Sequence, residues 1–383
     1  MSASPSLPPL AILHTESSIG WGGQEIRILT EARGMLDRGH RVMLLTPAQA
    51  DILPAARRYG IPVEAIDIGK KRPSGLLALR AWLARHGSEY DVVNTHSSTD
   101  SWLTALACAL LRDPPPIVRT RHVSTPIGAN PATRWLYAGA TRHIVTTGEN
   151  LRRQLQRNNG IALDRMTSIR TGIDLDRFRP LDREQQRVRL GVAARPTLGI
   201  LATLRDWKGH DYLLDAMRLL APTHPDWQLL VLGDGPQRAR LERRVRDEGL
   251  ANTVHFAGNV DDVPAWLSTL DLFVLPSYGD EGVPQGIMQA MACGLPVVST
   301  PVGAIAEAVQ DGETGILVPP RDATALAGAL ARLMADPALR SSMGEAGMRH
   351  ARSAFGIDIM LDAMERVFRH HARRGHARPA RSA

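Results

Sequence analysis

The feature that most constrains this chain is an alternation that runs through once and then starts again. Short apolar runs, "LAILHT" (10–15), "RVMLLT" (41–46), "PVEAID" (62–67), "DVVNTH" (91–96), "PIVRTR" (116–121) and "HIVTTG" (143–148), are separated by amphipathic stretches of helical length, the first from about Gln24 to Arg38. This pattern predicts parallel strands with helices on both faces. It breaks at the Arg- and Pro-rich segment "GIDLDRFRPLDREQQRVRLGVAARP" (172–196) and then resumes. The later strands are "TLGILATL" (197–204), "WQLLVLGDG" (227–235), "NTVHFAG" (252–258), "DLFVLPS" (271–277), "LPVVST" (295–300) and "TGILVP" (314–319). The expected fold is α/β, with two doubly wound, Rossmann-like domains facing a central cleft. Their expected bounds are 1–180 and 181–355, followed by a helix over 356–373 packing back across the first domain and a basic tail over 374–383. With 383 residues the chain can build a separate core for each domain.

Such sheets bind ligands beyond the carboxyl ends of their strands, where the strand order reverses. The chemistry-bearing residues are therefore sought just after the strands. The first turn reads "SSIGWGGQEIRIL", with Gly20, Gly22 and Gly23 between a strand and a helix. Backbone amides at such a helix start receive phosphate; a tight packing turn is the other reading. A nicotinamide site calls for an acid at the end of the next strand, and "LLTPAQA" has none. His96 and His122 both fall at strand ends, either as hydrogen-bonded core histidines or as groups on a shared functional rim.

In the second half, "ATLRDWKGHDYLL" places Arg205 and Lys208 between a strand and a helix. Of 46 basic residues only Lys70, Lys71 and Lys208 are lysines, which makes a compact ammonium at 208 notable. Two cations at a helix start suit a diphosphate. "GDEGVPQGIMQAMACGLPVV" (279–298) sets Glu281 and Gln289 eight residues apart and puts Gly286 in the first turn of an apolar helix. Glycine there costs about 1 kcal/mol against alanine, so something is expected to approach that backbone closely, a ligand phosphate or its sugar. Asp174 and Asp176 form a D-x-D that reads as a turn or, in another setting, as a pair holding a divalent ion. No His, Asp and Glu set has metal-ligand spacing, and no metal is expected.

In order, these segments resemble the retaining GT-B glycosyltransferases of family 4 over nearly the whole chain, of the bacterial envelope-glycan and lipopolysaccharide-core type. They are "GWGGQE" with "LDRGHRV", "DVVNTHSS", "TTGENLRRQL", "IRTGIDLDRFRP", "LATLRDWKGHDYLLDAM", "LLVLGDGPQRARLE", the run from "VHFAGNVDD" to "VGAIAEAV", and "DGETGILVPP". The resemblance implies roles for particular residues. His122, Glu281, Arg205 and Lys208 take the catalytic positions. Gly23, Gly258, Val260, Gly282, Gln285, Gly286, Ile287 and Gln289 take donor-binding positions, with helix-start amides at Gly286 and Ile287 facing phosphate. Gly22 and His96 stand on the acceptor side. Two positions depart from the family pattern: Thr203 stands where an Arg is usual, and Gln289 replaces the second glutamate of an E-x7-E pair.

The expected function is transfer of a sugar from a nucleotide-sugar donor to a hydroxyl of a glycan or lipid-linked acceptor, with retention, in cell-envelope polysaccharide or lipopolysaccharide biosynthesis. The nucleotide-sugar is a substrate, and neither a cofactor nor a metal is expected. A non-catalytic nucleotide-sugar-binding subunit and a nucleotide-sugar epimerase of related fold are the alternatives.

Composition bounds the setting. Two cysteines, Cys108 and Cys293, make no disulfide framework, no apolar run is long enough to span a bilayer, and no secretory signal is read at the N-terminus. A cytoplasmic chain is expected. The net charge is +7, and after Glu365 the chain carries six Arg, three His and no acid. That excess suits a solvated tail or peripheral contact with the anionic inner face of a membrane. Nucleic acid is not expected, because neither aromatic interleaving nor a binding motif accompanies the charge.

Overall fold

A computed structural model of the protein describes residues 7–123, 125–279 and 281–373. The expected basic tail over 374–383 lies outside them. The chain divides into two compact units, one formed by residues up to Ile169 together with those from Met360 onward, the other by Arg170–Ile359.

The first unit alternates β1 (Ala11–Thr15), α1 (Gly23–Asp37), β2 (Arg41–Thr46), α2 (Ile52–Arg58), β3 (Val63–Ala65), α3 (Pro73–His86) and β4 (Val92–Thr95). It continues with α4 (Ser98–Ala109), β5 (Ile117–Arg121), α5 (Pro131–Arg134), β6 (Thr141–Thr146), α6 (Glu149–Asn159) and β7 (Met166–Ser168). The strands form one sheet in the order β3-β2-β1-β4-β5-β6-β7, every pair parallel. After β3 the chain returns to the middle and builds outward the other way. The order thus reverses between β1 and β4, where Thr15 stands opposite Thr95. Both β1 and β4 are buried along their whole length, as strands covered on two faces must be.

The second unit contains α7 (Arg183–Leu190), β8 (Thr197–Leu201), α8 (His210–Leu220), β9 (Gln228–Leu232), α9 (Arg238–Asp247) and β10 (Val254–Gly258). These are followed by α10 (Val263–Ser268), β11 (Leu272–Leu275), α11 (Gln285–Ala292), β12 (Val297–Ser299), β13 (Gly315–Leu317), α12 (Ala323–Ala335) and α13 (Pro337–Ala354). Its sheet, also fully parallel, runs β10-β9-β8-β11-β12-β13 and reverses between β8 and β11. The strand expected over 197–204 ends at Leu201, and the Leu204 amide already donates to the Asp234 carbonyl at the sheet's rim. The division falls at Ile169 rather than at residue 180. Ile173, at the start of the Arg- and Pro-rich stretch, already exchanges backbone hydrogen bonds with Phe355 and Ile357 of the second unit.

The last helix, α14 (Ile357–His371), buries Met360, Leu361, Met364, Val367 and Phe368, the single stripe a 3.6-residue period lays on one face. Leu361 packs so closely on α1 that a Cβ at Gly34 would lie 2.4 Å from its Cδ1. No helix among the described residues is long and apolar enough to cross a membrane.

One glycine joins two strand-end loops of the second unit. Gly209 has φ +79, and a Cβ there would stand 2.0 Å from the Pro276 carbonyl oxygen. Any side chain meets both a left-handed backbone and a neighbouring main chain. Gly209→Ala is therefore expected to destabilise the second unit by more than about 1 kcal/mol, read as a lower midpoint in urea unfolding with an unchanged slope.

Candidate functional site

In the second unit, the loops leaving β8 and β11 flank the reversal of strand order, and they are fastened to each other. The Tyr278 amide donates to the Trp207 carbonyl at 2.8 Å, and the Ala304 amide, from the loop after β12, donates to the Glu281 carbonyl at 2.9 Å. Lys208 and Glu281, 73 residues apart in sequence, meet there, with Nζ to Oε1 at 2.6 Å. Ser277 Oγ donates to the same oxygen at 2.9 Å. The two charged side chains keep only 18% and 11% of their surface in solvent, so the attraction is less screened than at an open surface. The result is an ammonium and a carboxylate held together at the point where such a sheet receives a ligand.

The other expected residues of this unit fall around that pair in different ways. Arg205 is exposed and lies over the Trp207 ring, 5.2 Å from its centroid; among the described residues it makes no ion pair. Thr203 is exposed. Gly258, with φ +74, closes β10 and accepts from the Gly233 amide, while Val260 is half-buried against the core. Both lie on the same rim as Lys208, with β10 two strand spacings, about 10 Å, from β8. Gly282 and Gln285 are half-buried, Gln285 being the first residue of α11.

Gly286 and Ile287 differ from expectation. A Cβ at Gly286 would lie 2.9 Å from the Leu201 carbonyl oxygen and 3.5 Å from Phe273, so this glycine lets α11 pack onto the end of β8. Its missing side chain is explained by the protein's own backbone, without a ligand. Ile287 is fully buried, and its amide donates to the Pro284 carbonyl at 3.1 Å as the helix closes its first turn. That amide is already used internally. Gln289 is half-buried, and its side chain makes no hydrogen bond among the described residues. The D-x-D is a turn, with Asp174 Oδ1 accepting from the amides of Asp176 and Arg177 at 3.0 Å each.

In the first unit, His96 follows β4 and His122 follows β5, and the structure joins them. His96 Nδ1 lies 3.0 Å from His122 Nε2. A third histidine extends the line: His14, on β1, has Nδ1 2.9 Å from His96 Nε2, with the two rings stacked. Burial holds all three below the usual imidazole range, His14 at about 3. His14 was not anticipated from the sequence. Its only signal there is a polar residue inside an otherwise apolar strand.

Beside the histidines is a buried carboxyl group. Glu16 accepts from the Ser18 amide at 2.6 Å and Gln24 Nε2 at 2.5 Å, and it also bonds Ser97 Oγ. Asp100, at the start of α4, accepts from the His96 and Ser97 amides and from the Thr15 and Ser17 hydroxyls. Burial, followed by the Asp100 charge, pushes Glu16 well above the usual carboxylate range. Gly22 caps α1 with extended backbone that any residue adopts, and Gly23 is the helix's first residue. Glu25 already stands in that first turn, so the helix start expected to face phosphate carries a carboxyl group of its own. Next to it a cavity of about 550 Å³ is lined by Ser17, Ser18, Asp67, Lys70, Arg72 and Ser97, among others. Lys71 closes in at 3.4 Å from Ser98 Oγ. Among the described residues, no group of three or more His, Cys, Asp or Glu is arranged to hold a metal ion.

Comparison with known proteins follows the division of the chain. Residues 21–177 match the family model described as Glycosyltransferase Family 4, and residues 195–336 match Glycosyl transferases group 1. The chain is 36% identical over 211 residues to the lipopolysaccharide core biosynthesis mannosyltransferase LpsB of Rhizobium meliloti (strain 1021), covering 53% of this chain and 60% of that protein. It is 34% identical over 208 residues to LpcC of Rhizobium leguminosarum bv. viciae, named as the same kind of mannosyltransferase, covering 53% and 59%. These matches thus span less than two thirds of either relative. A glycosyltransferase from Rickettsia africae ESF-5 superposes with a TM-score of 0.86 at 20% identity, covering 95% of this chain and 99% of that one. The architecture is the GT-B fold.

The Glu16 environment makes a prediction about stability. Its carboxyl binds a proton more tightly folded than unfolded, so the stability it contributes is present below the ordinary carboxylate pKa and is lost as pH rises through the raised, folded value. Between about pH 5 and pH 8, wild type is expected to lose stability relative to Glu16→Gln. The gap in melting temperature should widen by several degrees, since about 1 kcal/mol moves a domain of this size by roughly 2–4 °C. Parallel melting curves for the two proteins across that range would contradict the placement of Glu16.

Proposed function

Because residues 21–177 belong to glycosyltransferase family 4 and residues 195–336 to the glycosyl transferases of group 1, we propose that this protein transfers a glycosyl group from a nucleotide-sugar to a hydroxyl of a glycan or lipid-linked acceptor. The transfer retains the anomeric configuration and uses no metal. The observation that carries the reading is the Lys208–Glu281 pair, set by Ser277 where the strand order of the second sheet reverses.

The chemistry asked of those residues is specific. The bond between the anomeric carbon and the diphosphate breaks, and its electron pair leaves with the phosphate oxygen. The acceptor oxygen forms its bond on the same face and passes its proton to the departing phosphate. Charge develops on the diphosphate as the sugar becomes oxocarbenium-like. A preorganised ammonium at Lys208 stabilises that charge in the transition state more than in the ground state. Arg205, exposed on the same loop, is free to add a second cation. Glu281 accepts hydrogen bonds from sugar hydroxyls and orients the ring. Gln289 offers a ribose one amide oxygen in place of a carboxylate. In the first unit, His122 hydrogen-bonds a sugar hydroxyl, and the cavity bearing Lys70 and Arg72 among serine hydroxyls suits a polar, anionic acceptor. The two lipopolysaccharide-core relatives favour a mannosyl donor and an envelope-glycan acceptor. The net positive charge favours work at an anionic membrane face from the cytoplasmic side.

The test is nucleotide release from UDP-, GDP- and ADP-sugars, mannosyl donors first, with and without an envelope-lipid extract as acceptor. Lys208→Ala and Glu281→Ala are each expected to lower kcat/KM by about 100-fold or more, the scale of losing one preorganised charge partner. Chelator should leave the wild-type rate unchanged. Normal rates in both variants would remove the site from the mechanism. Donor binding without turnover across the whole panel would favour a nucleotide-sugar-binding subunit, a reading prompted by the uncharged Gln289 and Thr203.

A further inference from the structure

The line of three histidines in the first unit is longer than hydrogen bonding to a ligand requires. His122 is the partly buried end; His96 and His14 are fully buried behind it. Burial lowers His122 first, followed by the Arg27 and Arg119 charges, and burial likewise lowers His96 and His14. At neutral pH the three rings are therefore uncharged, and each carries one N–H. The contacts use His14 Nδ1 with His96 Nε2, and His96 Nδ1 with His122 Nε2.

Only two proton arrangements satisfy both contacts with neutral rings. In the first, every ring is protonated on Nδ1: His14 donates to His96, His96 donates to His122, and His122 Nδ1–H points away from the line. In the second, every ring is protonated on Nε2 and the donors run the other way. A mixed arrangement would make His96 either a cation or an anion. The two differ at the far end. His14 Nε2 is sealed from solvent and has no hydrogen-bond partner. Phe368, perpendicular to it at 6.4 Å between centroids, supplies no acceptor oxygen or nitrogen. The second arrangement would strand an N–H there, and the first strands only a lone pair. Orphaned buried N–H groups are the rarer and costlier case. At the near end, no described residue hydrogen-bonds His122 Nδ1.

We propose that His96 and His14 are positioning residues that hold His122 as the Nδ1–H tautomer, so that this site presents a hydrogen-bond donor and selects an acceptor oxygen on its ligand. A sugar hydroxyl oxygen or a phosphate oxygen meets that demand, whereas a group able only to donate does not. His122 in this form cannot take up a proton at Nδ1, which removes it as a general base toward a ligand there. The consequence for sugar recognition rests on the glycosyl-transfer reading; the tautomer itself does not.

The experiment is a long-range proton–nitrogen correlation spectrum of the full chain labelled with 15N-histidine, at neutral pH and without substrate. The His122 signals are assigned by their loss in His122→Gln. Nδ1 protonation of His122 is expected; Nε2 protonation overturns the proposal. In His96→Leu the His122 signals should shift toward a mixture of tautomers. In His96→Gln, whose amide can accept from His14 and donate to His122, they should stay as in wild type. An unchanged His122 tautomer in His96→Leu overturns the relay. Should that variant fail to fold, the wild-type spectrum alone still decides the tautomer. In the donor assay His96→Leu should lower kcat/KM by about 3- to 10-fold, the weight of one neutral hydrogen bond, with most of it restored in His96→Gln. Absence of turnover in every protein would defeat the transfer reading and leave the spectra to judge the tautomer independently.

Discussion

Every strand in the described residues is parallel to its neighbours, and the rest of the molecule depends on that constraint. The central parallel strands bury both faces, so they can carry few charged groups along their length. β8, β9, β11 and β12 hold none, and β1, at the reversal in the first sheet, has His14, held uncharged by burial, as its one titratable residue. Polar chemistry is displaced to the loops at the carboxyl ends. Because the strand order reverses in each sheet, two such loops diverge to opposite faces and leave an opening between them. In the second unit Lys208 and Glu281 occupy that place, and in the first His96, Ser97 and Glu16 do.

What lies at the two reversals differs in electrostatic kind. The second unit presents an ion pair, Lys208 with Glu281. The first presents groups whose charge burial suppresses: three neutral histidines and a Glu16 that holds its proton above the ordinary carboxylate range. Gly34, Gly209 and Gly286 serve these arrangements from behind: Gly34 makes room for the Leu361 side chain, and Gly209 and Gly286 let the Pro276 and Leu201 carbonyls approach within the space of a methyl group.

Much of this could be read in the sequence, and the reasons are local. The alternation of apolar runs and amphipathic stretches follows directly from strand and helix burial, and all the expected strands are present, most with ends trimmed by a few residues, while the one expected over 143–148 is shifted to Thr141–Thr146. Lys208 stood out because the chain has so few lysines, and Glu281 because of its setting. Their direct contact could not be read, since it joins loops 73 residues apart and depends on which strands are neighbours. Ser277, His14 and Glu16 were missed for the same reason: each acts through partners supplied by the sheet order. Gly286 was noticed correctly as out of place in a helix, yet its cause is the carbonyl of Leu201, which no inspection of its own segment reveals.

The first unit is closed by residues that follow the whole of the second. Phe368 packs beside His14, Met364 beside Arg27 and Leu361 against Gly34, yet all three lie beyond residue 359. During synthesis, the first sheet and α1 emerge with this groove uncovered, and it stays so while some 190 further residues are made. Domains generally fold as units in the order they appear. Here the order of synthesis and the order of completion are inverted: the second unit can finish before the first. A nascent chain of this protein carries an unsealed apolar seam through most of its translation.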